Sequence, residues 1–177
     1  MHLELVRPEN KYLESYLEGC RETYTHVHNS YIIHDPVKFS QWSQTIFFQY
    51  ADEEAGLNLP PGYVPSVTFW AVAGERYIGT VNIRLRLNKK LADYGGHIGC
   101  VLRKTERGKG LAKKLFLLAL SRAEQLNIRP VLVTCTEDNL PSLRTLLGMN
   151  YDRMECTVTD ADGRICPVRR FWFLESE

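Results

Sequence analysis

A six-residue glycine loop constrains the fold of this chain more than any other feature. The loop runs from Arg107 to Ala112, after a short apolar run at residues 98–102 and before an amphipathic stretch at 111–126. This pattern predicts a strand, a turn and a helix. Glycine lets backbone N–H groups approach a ligand closely, and the first N–H groups of a helix lack internal partners. The helix dipole adds partial positive charge there, so the junction predicts a site for a phosphorylated ligand.

Two common phosphate loops are excluded by the residues at their fixed positions. A Walker A loop needs a first glycine five residues before Gly-Lys, and Ser or Thr directly after it. Here Arg103 and Gly110 occupy those two positions around Gly108-Lys109. A Rossmann fingerprint needs a third glycine where this chain has Lys113. Neither nucleotide-binding loop is therefore expected.

The pattern that matches is (Gln/Arg)-x-x-Gly-x-(Gly/Ala), which is met by Arg107, Gly110 and Ala112. It is the acetyl-CoA pyrophosphate loop of the GNAT N-acetyltransferases, and the chain resembles that family. The resemblance implies acetyl-CoA as co-substrate, no metal, and transfer of an acetyl group to a primary amine. The strings at residues 95–100 and 169–172 are similar to a bacterial GNAT subfamily of predicted acetyltransferases with no assigned substrate.

The order of predicted elements also resembles this family along the whole chain. The apolar periodicity and the turn residues predict the order β-α-α-β-β-β-α-β-α-β-β. The strands are expected at residues 3–6, 67–73, 77–87, 98–102, 131–136, 154–159 and 168–174, and the helices at 8–25, from 36 onward, 111–126 and 139–147, with a loop at 51–65. The resemblance implies an α/β (α+β) fold, with a mixed, mostly antiparallel sheet of about seven strands and about four helices, as one domain over residues 1–177.

Composition agrees with one domain and argues against several other classes of protein. The chain has 177 residues, with 22 basic and 21 acidic residues and a net charge of +1. Nucleic-acid-binding domains usually carry a basic face, so no such partner is expected. No apolar run approaches the roughly 20 residues that span a bilayer, and no signal peptide is apparent. Five cysteines without a Cys-x-x-Cys pair predict reduced thiols and a cytoplasmic protein.

The resemblance assigns three groups of residues to the co-substrate. Main-chain groups of the strand before the glycine loop would pair with the pantetheine arm; these are Cys100, Val101 and Leu102. The glycine loop would bind the pyrophosphate through Arg107, Gly108, Lys109, Gly110, Leu111 and Ala112. Asn139 and Ser142, at the start of a later helix, would also contact the pantetheine arm. The side chains of Arg107 and Lys109 either neutralise the pyrophosphate or are simply solvated. Asn139 and Ser142 also match a helix cap.

His97 is the predicted general base. It stands at the start of the motif strand, where several relatives carry a glutamate, and an unperturbed imidazole has a pKa of about 6.5. The alternative is a structural histidine bonded to a loop carbonyl beside Gly95-Gly96. Many relatives place a tyrosine, as general acid, seven residues after the position of Asn139. Here that position is Leu146, and Tyr151 is expected to pack instead of replacing it.

The acceptor is expected between the first two helices and the third strand. Arg84 would bind a carboxylate or phosphate of the acceptor, or would lie with Arg86 on a solvated face. Tyr94 would line the pocket or lie at the edge of the core. The favoured acceptor is a small amine metabolite; a protein N-terminus or lysine, and a non-catalytic acyl-CoA sensor, are the alternatives. The acidic residues 52–54 would either close the site or attract a cationic acceptor.

Two weaker patterns leave further alternatives. His26, His28 and His34 form a histidine-rich segment, but no Cys or second histidine-rich segment completes a zinc site. Phe171, Trp172 and Phe173 give the last strand an apolar face. That face predicts either a homodimer contact or packing on the core.

Overall fold

The computed structural model describes residues 2–23, 45–161 and 164–174. Within these ranges, seven strands and four α-helices follow one another in the predicted order, and a fifth, short α-helix is additional. The strands are β1 (Glu4–Val6), β2 (Ser66–Ala73), β3 (Arg76–Arg84), β4 (Ile98–Leu102), β5 (Val131–Thr136), β6 (Arg153–Ala161) and β7 (Arg164–Phe173). The helices are α1 (Leu13–Thr23), α2 (Thr45–Ala55), α3 (Lys89–Asp93), α4 (Leu111–Gln125) and α5 (Leu140–Leu147).

The strands form two antiparallel sheets. The first has the order β1-β2-β3-β4 and the second the order β5-β7-β6. The hairpin between β2 and β3 turns at Gly74-Glu75, as predicted, with Ala73 opposite Arg76. The expected α/β class with about seven mostly antiparallel strands is confirmed. The strands make two sheets because β4 and β5 are not paired along their length.

Helices cover both faces of the first sheet. Tyr12, Tyr16 and Cys20 repeat every four residues, so one side of the first helical segment packs on the sheet. There Tyr16 stacks on Trp70 of β2 with 4.3 Å between ring centroids. On the opposite face, α4 buries an apolar stripe that includes Leu115, Ala119 and Ala123. This two-sided burial explains why β2 is almost continuously buried.

One predicted loop was wrong, and one short helix was not predicted. Residues 51–55 belong to α2 rather than to a loop, and the helix ends at Ala55, before Gly56, which has a φ of +73°. Leu57 N donates to Asp52 O and Gly56 N to Glu53 O, the two bonds of a Schellman C-cap. The additional helix α3 begins after Asn88, whose side chain accepts a hydrogen bond from Leu91 N. The start of the second predicted helix, at residue 36, lies outside the described residues.

The aromatic residues of β7 pack inside this chain. Phe171 and Phe173 are in the core, and Trp172 is buried with the Arg153 guanidinium 3.9 Å from its ring centroid. Packing on the core is therefore the alternative that the structure supports for these side chains. None of the helices in the described ranges is long and apolar enough to cross a membrane.

Candidate functional site

The two sheets meet at one point and then separate. His97 N donates to Leu132 O at 2.7 Å, and Leu132 N donates back to His97 Nδ1 at 2.9 Å. Beyond this point, no described strand pairs with the second edge of β4. A cleft therefore opens between β4 and β5, with unpaired main-chain groups along one wall.

The hydrogen-bonding pattern between β3 and β4 determines which main-chain groups of β4 face the cleft. Arg84 N donates to His97 O, and Arg103 N donates to Ile78 O, both at 2.8 Å. Bonded and non-bonded pairs alternate in an antiparallel ladder. The main-chain groups of Val101 therefore point toward β3, whereas those of Cys100 and Leu102 point toward the open edge. Of the three residues predicted for the pantetheine arm, two have the required orientation.

The glycine loop delivers exposed N–H groups at the start of α4. Gly108 and Gly110 both have a φ of +74°, and a Cβ added at either would meet no atom within 4 Å. Gly110 is the N-cap of α4 and makes no side-chain capping bond. Because α4 has 15 residues and its first N–H groups are not capped by a side chain, the loop suits an anion.

The two cationic side chains of the loop are engaged within the protein. Arg107 Nε donates to Leu102 O at 3.2 Å, and Lys109 Nζ lies 3.0 Å from Glu106 Oε2. Glu106 is buried and also accepts a 3.0 Å bond from Arg76 Nη2. Burial alone would raise the pKa of Glu106, but the bonds from Lys109 and Arg76 lower it below its ordinary value. This buried carboxylate, which sequence reasoning missed, anchors the loop to β3.

A cavity of about 430 Å³ continues from the cleft. Cys100, Asn139 and Ser142 line its cleft end. Arg84 and Tyr94 line it as well, together with residues of α2, α3 and the segment before β2. The structure thus brings the predicted acceptor residues and part of the predicted co-substrate residues to one continuous space. His97 and the loop at residues 107–112 are not part of its lining.

The start of α5 combines both predicted roles. Asn139 is the N-cap, and its Oδ1 accepts a hydrogen bond from Ser142 N at 3.4 Å. Both residues also line the cavity. The cap interpretation is confirmed, and the co-substrate interpretation stays a prediction for both residues.

The cavity contains two cysteines that are poor nucleophiles. Burial raises the pKa of the Cys100 thiol, and that of Cys135 as well. A thiol is nucleophilic only as the thiolate, so both remain protonated and unreactive near neutral pH. The arrangement does not favour an acyl-cysteine route.

His97 has the environment of a structural residue. Burial lowers its pKa to about 4, and the nearby Arg84 guanidinium lowers it as well. Since Nδ1 accepts a hydrogen bond, the neutral ring carries its proton on Nε2. This geometry agrees with the alternative of a structural histidine. Its hydrogen-bond partner differs from the expected one, because it is the N–H of Leu132 rather than a carbonyl beside Gly95-Gly96.

Arg84 supports the turn that precedes β4. It is only 6% exposed, and its Nη1 donates to Gly95 O at 3.1 Å and to Gly96 O at 2.9 Å. Arg86 is exposed and lies beyond the end of β3. Of the two arginines that were considered for a solvated face, only Arg86 is therefore solvated. Tyr94 contacts buried Cys166 and Val168 of β7 while it lines the cavity.

No tyrosine replaces the missing general acid at the expected place. Leu146 is fully buried in the main core, and Tyr151 packs edge-on against Phe171 with centroids 5.3 Å apart. The expectation that Tyr151 packs is confirmed.

His26, His28 and His34, with Tyr24 and Tyr31, lie outside the described residues. In the part of the chain that the structure describes, no three His, Cys, Asp or Glu residues are grouped to hold a metal.

Of the acidic residues 52–54 that were expected at the acceptor site, only Glu53 lines the cavity. It lies in the last turn of α2, is half-buried and accepts a 2.9 Å hydrogen bond from Gln49 Nε2. Burial raises its pKa. The acidic run at residues 52–54 was the available signal, but the residues were expected in a loop, where the direction of each side chain could not be inferred.

Comparison with known proteins agrees with this geometry. The model of the acetyltransferase (GNAT) family matches residues 17–149. The chain belongs to the GNAT acetyltransferase family. Its enzyme class is therefore that of an acyltransferase, as the resemblance implied. No curated protein matches the sequence.

Solved GNAT structures share the fold at low sequence identity. RimL, a ribosomal L7/L12 α-N-protein acetyltransferase in complex with coenzyme A, is 12% identical, with a TM-score of 0.62 over 98% of this chain and 94% of that one. The microcin C7 self-immunity acetyltransferase MccE, in complex with acetyl-CoA and AMP, is 13% identical, with a TM-score of 0.63 over 97% and 92%. The spermidine/spermine N-acetyltransferase SpeG from Vibrio cholerae is 16% identical, with a TM-score of 0.58 over 98% and 95%.

Proposed function

We propose that this protein transfers the acetyl group of acetyl-CoA to the primary amine of a small metabolite, by direct attack within a ternary complex. The observation that carries the proposal is the open edge of β4, where Cys100 lines the cavity and Leu102 is bonded to Arg107 of the glycine loop. The loop, the strand edge and the cavity each suit one part of the reaction. Family membership and the complexes of RimL and MccE with coenzyme A and acetyl-CoA support the choice of co-substrate.

Acetyl-CoA supplies an activated acyl group as a thioester. The N–H groups of Gly108, Lys109, Gly110, Leu111 and Ala112 bind its pyrophosphate, since they stand at an exposed helix start. The side chains of Arg107 and Lys109 hold the loop in shape, because their own partners are Leu102 O and Glu106. Cys100 and Leu102 pair with the pantetheine arm through the main chain, and Asn139 and Ser142 lie on the other side of the cleft.

Direct attack is favoured by the chemistry of the cavity. The two thiols that line it, Cys100 and Cys135, are held in the protonated form by burial. A covalent acyl-enzyme has no activated nucleophile there. The amine must therefore meet the thioester itself, and both must be bound at once.

A small acceptor is favoured by the size and walls of the cavity. The whole cavity, including the end assigned to the pantetheine arm, has a volume of about 430 Å³, at the lower end of typical small-molecule sites, which leaves room only for a small acceptor. Arg84 and Tyr94 line it in the positions proposed for acceptor recognition. A protein acceptor would need an open groove, whereas this space is bounded by α2, α3 and the residues before β2.

Thermal unfolding with acetyl-CoA, free CoA and ATP tests the co-substrate first. A ligand at 100 times its dissociation constant stabilises the folded state by about 2.7 kcal/mol if it binds only that state. We expect stabilisation by acetyl-CoA and CoA but not by ATP, which shares the nucleotide but lacks the pantetheine arm. Thiol release with a panel of small amines then tests the transfer. Stabilisation without thiol release for any amine would favour the sensor alternative, and no stabilisation would contradict the proposal.

A further inference from the structure

Glu53 is the only carboxylate among the described residues that line the cavity. Its two acidic neighbours on α2 have partners elsewhere. Asp52 accepts a 3.0 Å hydrogen bond from Asn58 Nδ2, and Glu54 accepts a 3.0 Å bond from Arg7 Nη2. Of the three acidic residues, Asp52 and Glu54 therefore bind other parts of the protein, and only Glu53 lines the cavity.

An amine acceptor arrives with a proton that it must lose. Alkylammonium groups resemble the lysine side chain, whose pKa is about 10.4, so nearly every acceptor molecule is protonated at neutral pH. Attack on the thioester requires the neutral amine with its lone pair. The cavity therefore needs a group that attracts a cation and accepts its proton.

The other titratable groups near the cavity do not meet this need. The thiols of Cys100 and Cys135 are protonated, and Tyr63 and Tyr94 present phenol groups rather than carboxylates. Arg84 of β3 and Lys90 of α3 are cations that face the same cavity. His97 uses Nδ1 to hold Leu132 N and does not line the space.

We propose that Glu53 binds the ammonium group of the acceptor and takes the proton that the amine loses before attack. This inference rests on the proposed acetyltransferase function and adds a cation-binding base to it. The proton passes from the ammonium nitrogen to a Glu53 carboxylate oxygen, and the freed lone pair forms the new N–C bond. The C–S bond breaks, the sulfur keeps that electron pair, and the second proton that the nitrogen loses completes the CoA thiol. One proton in total is released for each amide formed.

The placement of Glu53 suits both parts of this role. Gln49 Nε2 holds Oε1 at 2.9 Å, and Glu53 lines the cavity, so its second oxygen can accept a proton. Glu53 also lies in the last turn of α2, where the helix dipole contributes partial negative charge that favours a cation. Burial raises the pKa of Glu53, which makes the carboxylate a stronger base than a solvated one.

Replacement of Glu53 by glutamine, with Glu54→Gln as the matched control, tests the inference. Both variants lose one charge from adjacent residues of α2, but only the first changes the cavity. The probes are acetyl-CoA with 1,4-diaminobutane, butylamine or 4-aminobutanoate, which share a four-carbon chain and differ in the charge at the far end. Thiol release is followed from pH 6 to 10, and acetyl-CoA binding is measured by calorimetry.

We expect Glu53→Gln to lower kcat/KM by at least about 100-fold near pH 7, the scale of general-base catalysis. Its residual rate should rise with pH as the amine loses its proton to solvent. Acetyl-CoA affinity should stay within about twofold of the wild type, and Glu54→Gln should retain nearly full turnover. Glu53→Asp should recover part of the lost rate.

Three results would overturn the inference. Wild-type turnover and pH profile in Glu53→Gln would remove Glu53 from the reaction while leaving the proposed function intact. Equal losses in the two glutamine variants would assign the effect to the charge of α2 rather than to the cavity. Wild-type protein that binds acetyl-CoA but acetylates none of the three amines would overturn the proposed transfer to a small amine, and this inference with it.

Discussion

Leu132 and His97 are joined by two hydrogen bonds, one to the backbone of His97 and one to its ring. The Leu132 N to His97 Nδ1 distance is 2.9 Å, and the His97 N to Leu132 O distance is 2.7 Å. The imidazole therefore takes the place of a backbone carbonyl in what would otherwise be a strand ladder. It ties the residue before β4 to β5 where the two sheets come together, and it thereby fixes the mouth of the cleft.

Removal of this ring should cost stability. In His97→Ala, the N–H of buried Leu132 loses its acceptor, which costs about 1–3 kcal/mol, with a further loss of packing. Asparagine offers an oxygen at a position similar to that of Nδ1, so His97→Asn should recover most of the loss. Urea unfolding at pH 7.5 measures both variants. Equal stability of the alanine variant and the wild type would show that the bond contributes nothing.

The same ring should make stability depend on pH below neutrality. Folding lowers the pKa of His97 from 6.5 to about 4, so the unfolded chain binds the extra proton in that interval. The contribution of the neutral ring is therefore complete above pH 6.5 and is lost as the pH falls toward 4, by up to about 1.4 kcal/mol per pH unit. Unfolding midpoints from pH 4 to 8 should show this slope in the wild type and a shallower slope in His97→Asn. A turnover limb near pH 6.5 that disappears in His97→Asn would instead restore His97 as the base.

The close approach of the two sheets also depends on Gly96. A Cβ at Gly96 would lie 2.5 Å from Leu132 O, and the residue has a φ of +62°. Gly74→Ala is a matched control, because Gly74 has a φ of +60° with no atom within 4 Å of the added Cβ. The control should cost roughly 1–2 kcal/mol from backbone strain alone. Gly96→Ala should cost clearly more and also weaken acetyl-CoA binding, as measured by unfolding and calorimetry; equal costs would mean that the sheets separate easily.

The sequence was most informative where structure is local. The glycine loop, the start of α4 and the cap of α5 follow from residues a few positions apart, and the structure has each of them in the expected place. α3 has five residues, fewer than two helical turns, so it leaves no periodicity to detect. The end of α2 was missed because the acidic run resembles a solvated loop, although Gly56 was available as the C-cap.

Contacts between distant segments could not be inferred from one sequence. Arg103 is 4% exposed and joins the end of β4 to Glu18 and Glu22 of α1, more than 80 positions earlier. Its hydrogen bond lowers the pKa of Glu22 to about 2. Glu106 is buried too, and its partner Arg76 lies 30 positions earlier. In the sequence, Arg103 and Glu106 look like ordinary charged surface residues.

The glycine loop gives the sharpest test of co-substrate binding, because two substitutions at Gly110 differ in charge but hardly in size. Gly110→Asp places a carboxylate beside the proposed pyrophosphate site, whereas Gly110→Asn has nearly the same volume without the charge. Both substitutions meet open space and the same φ of +74°, which Asn and Asp tolerate better than other residues, so their stabilities should be similar. We expect calorimetry to show no acetyl-CoA binding for the aspartate variant and a loss of no more than about tenfold for asparagine. The difference should shrink as salt is added, because screening weakens repulsion between exposed charges. Equal loss in both variants would mean that the loop needs a bare backbone rather than the absence of negative charge, and full binding in both would place the pyrophosphate elsewhere.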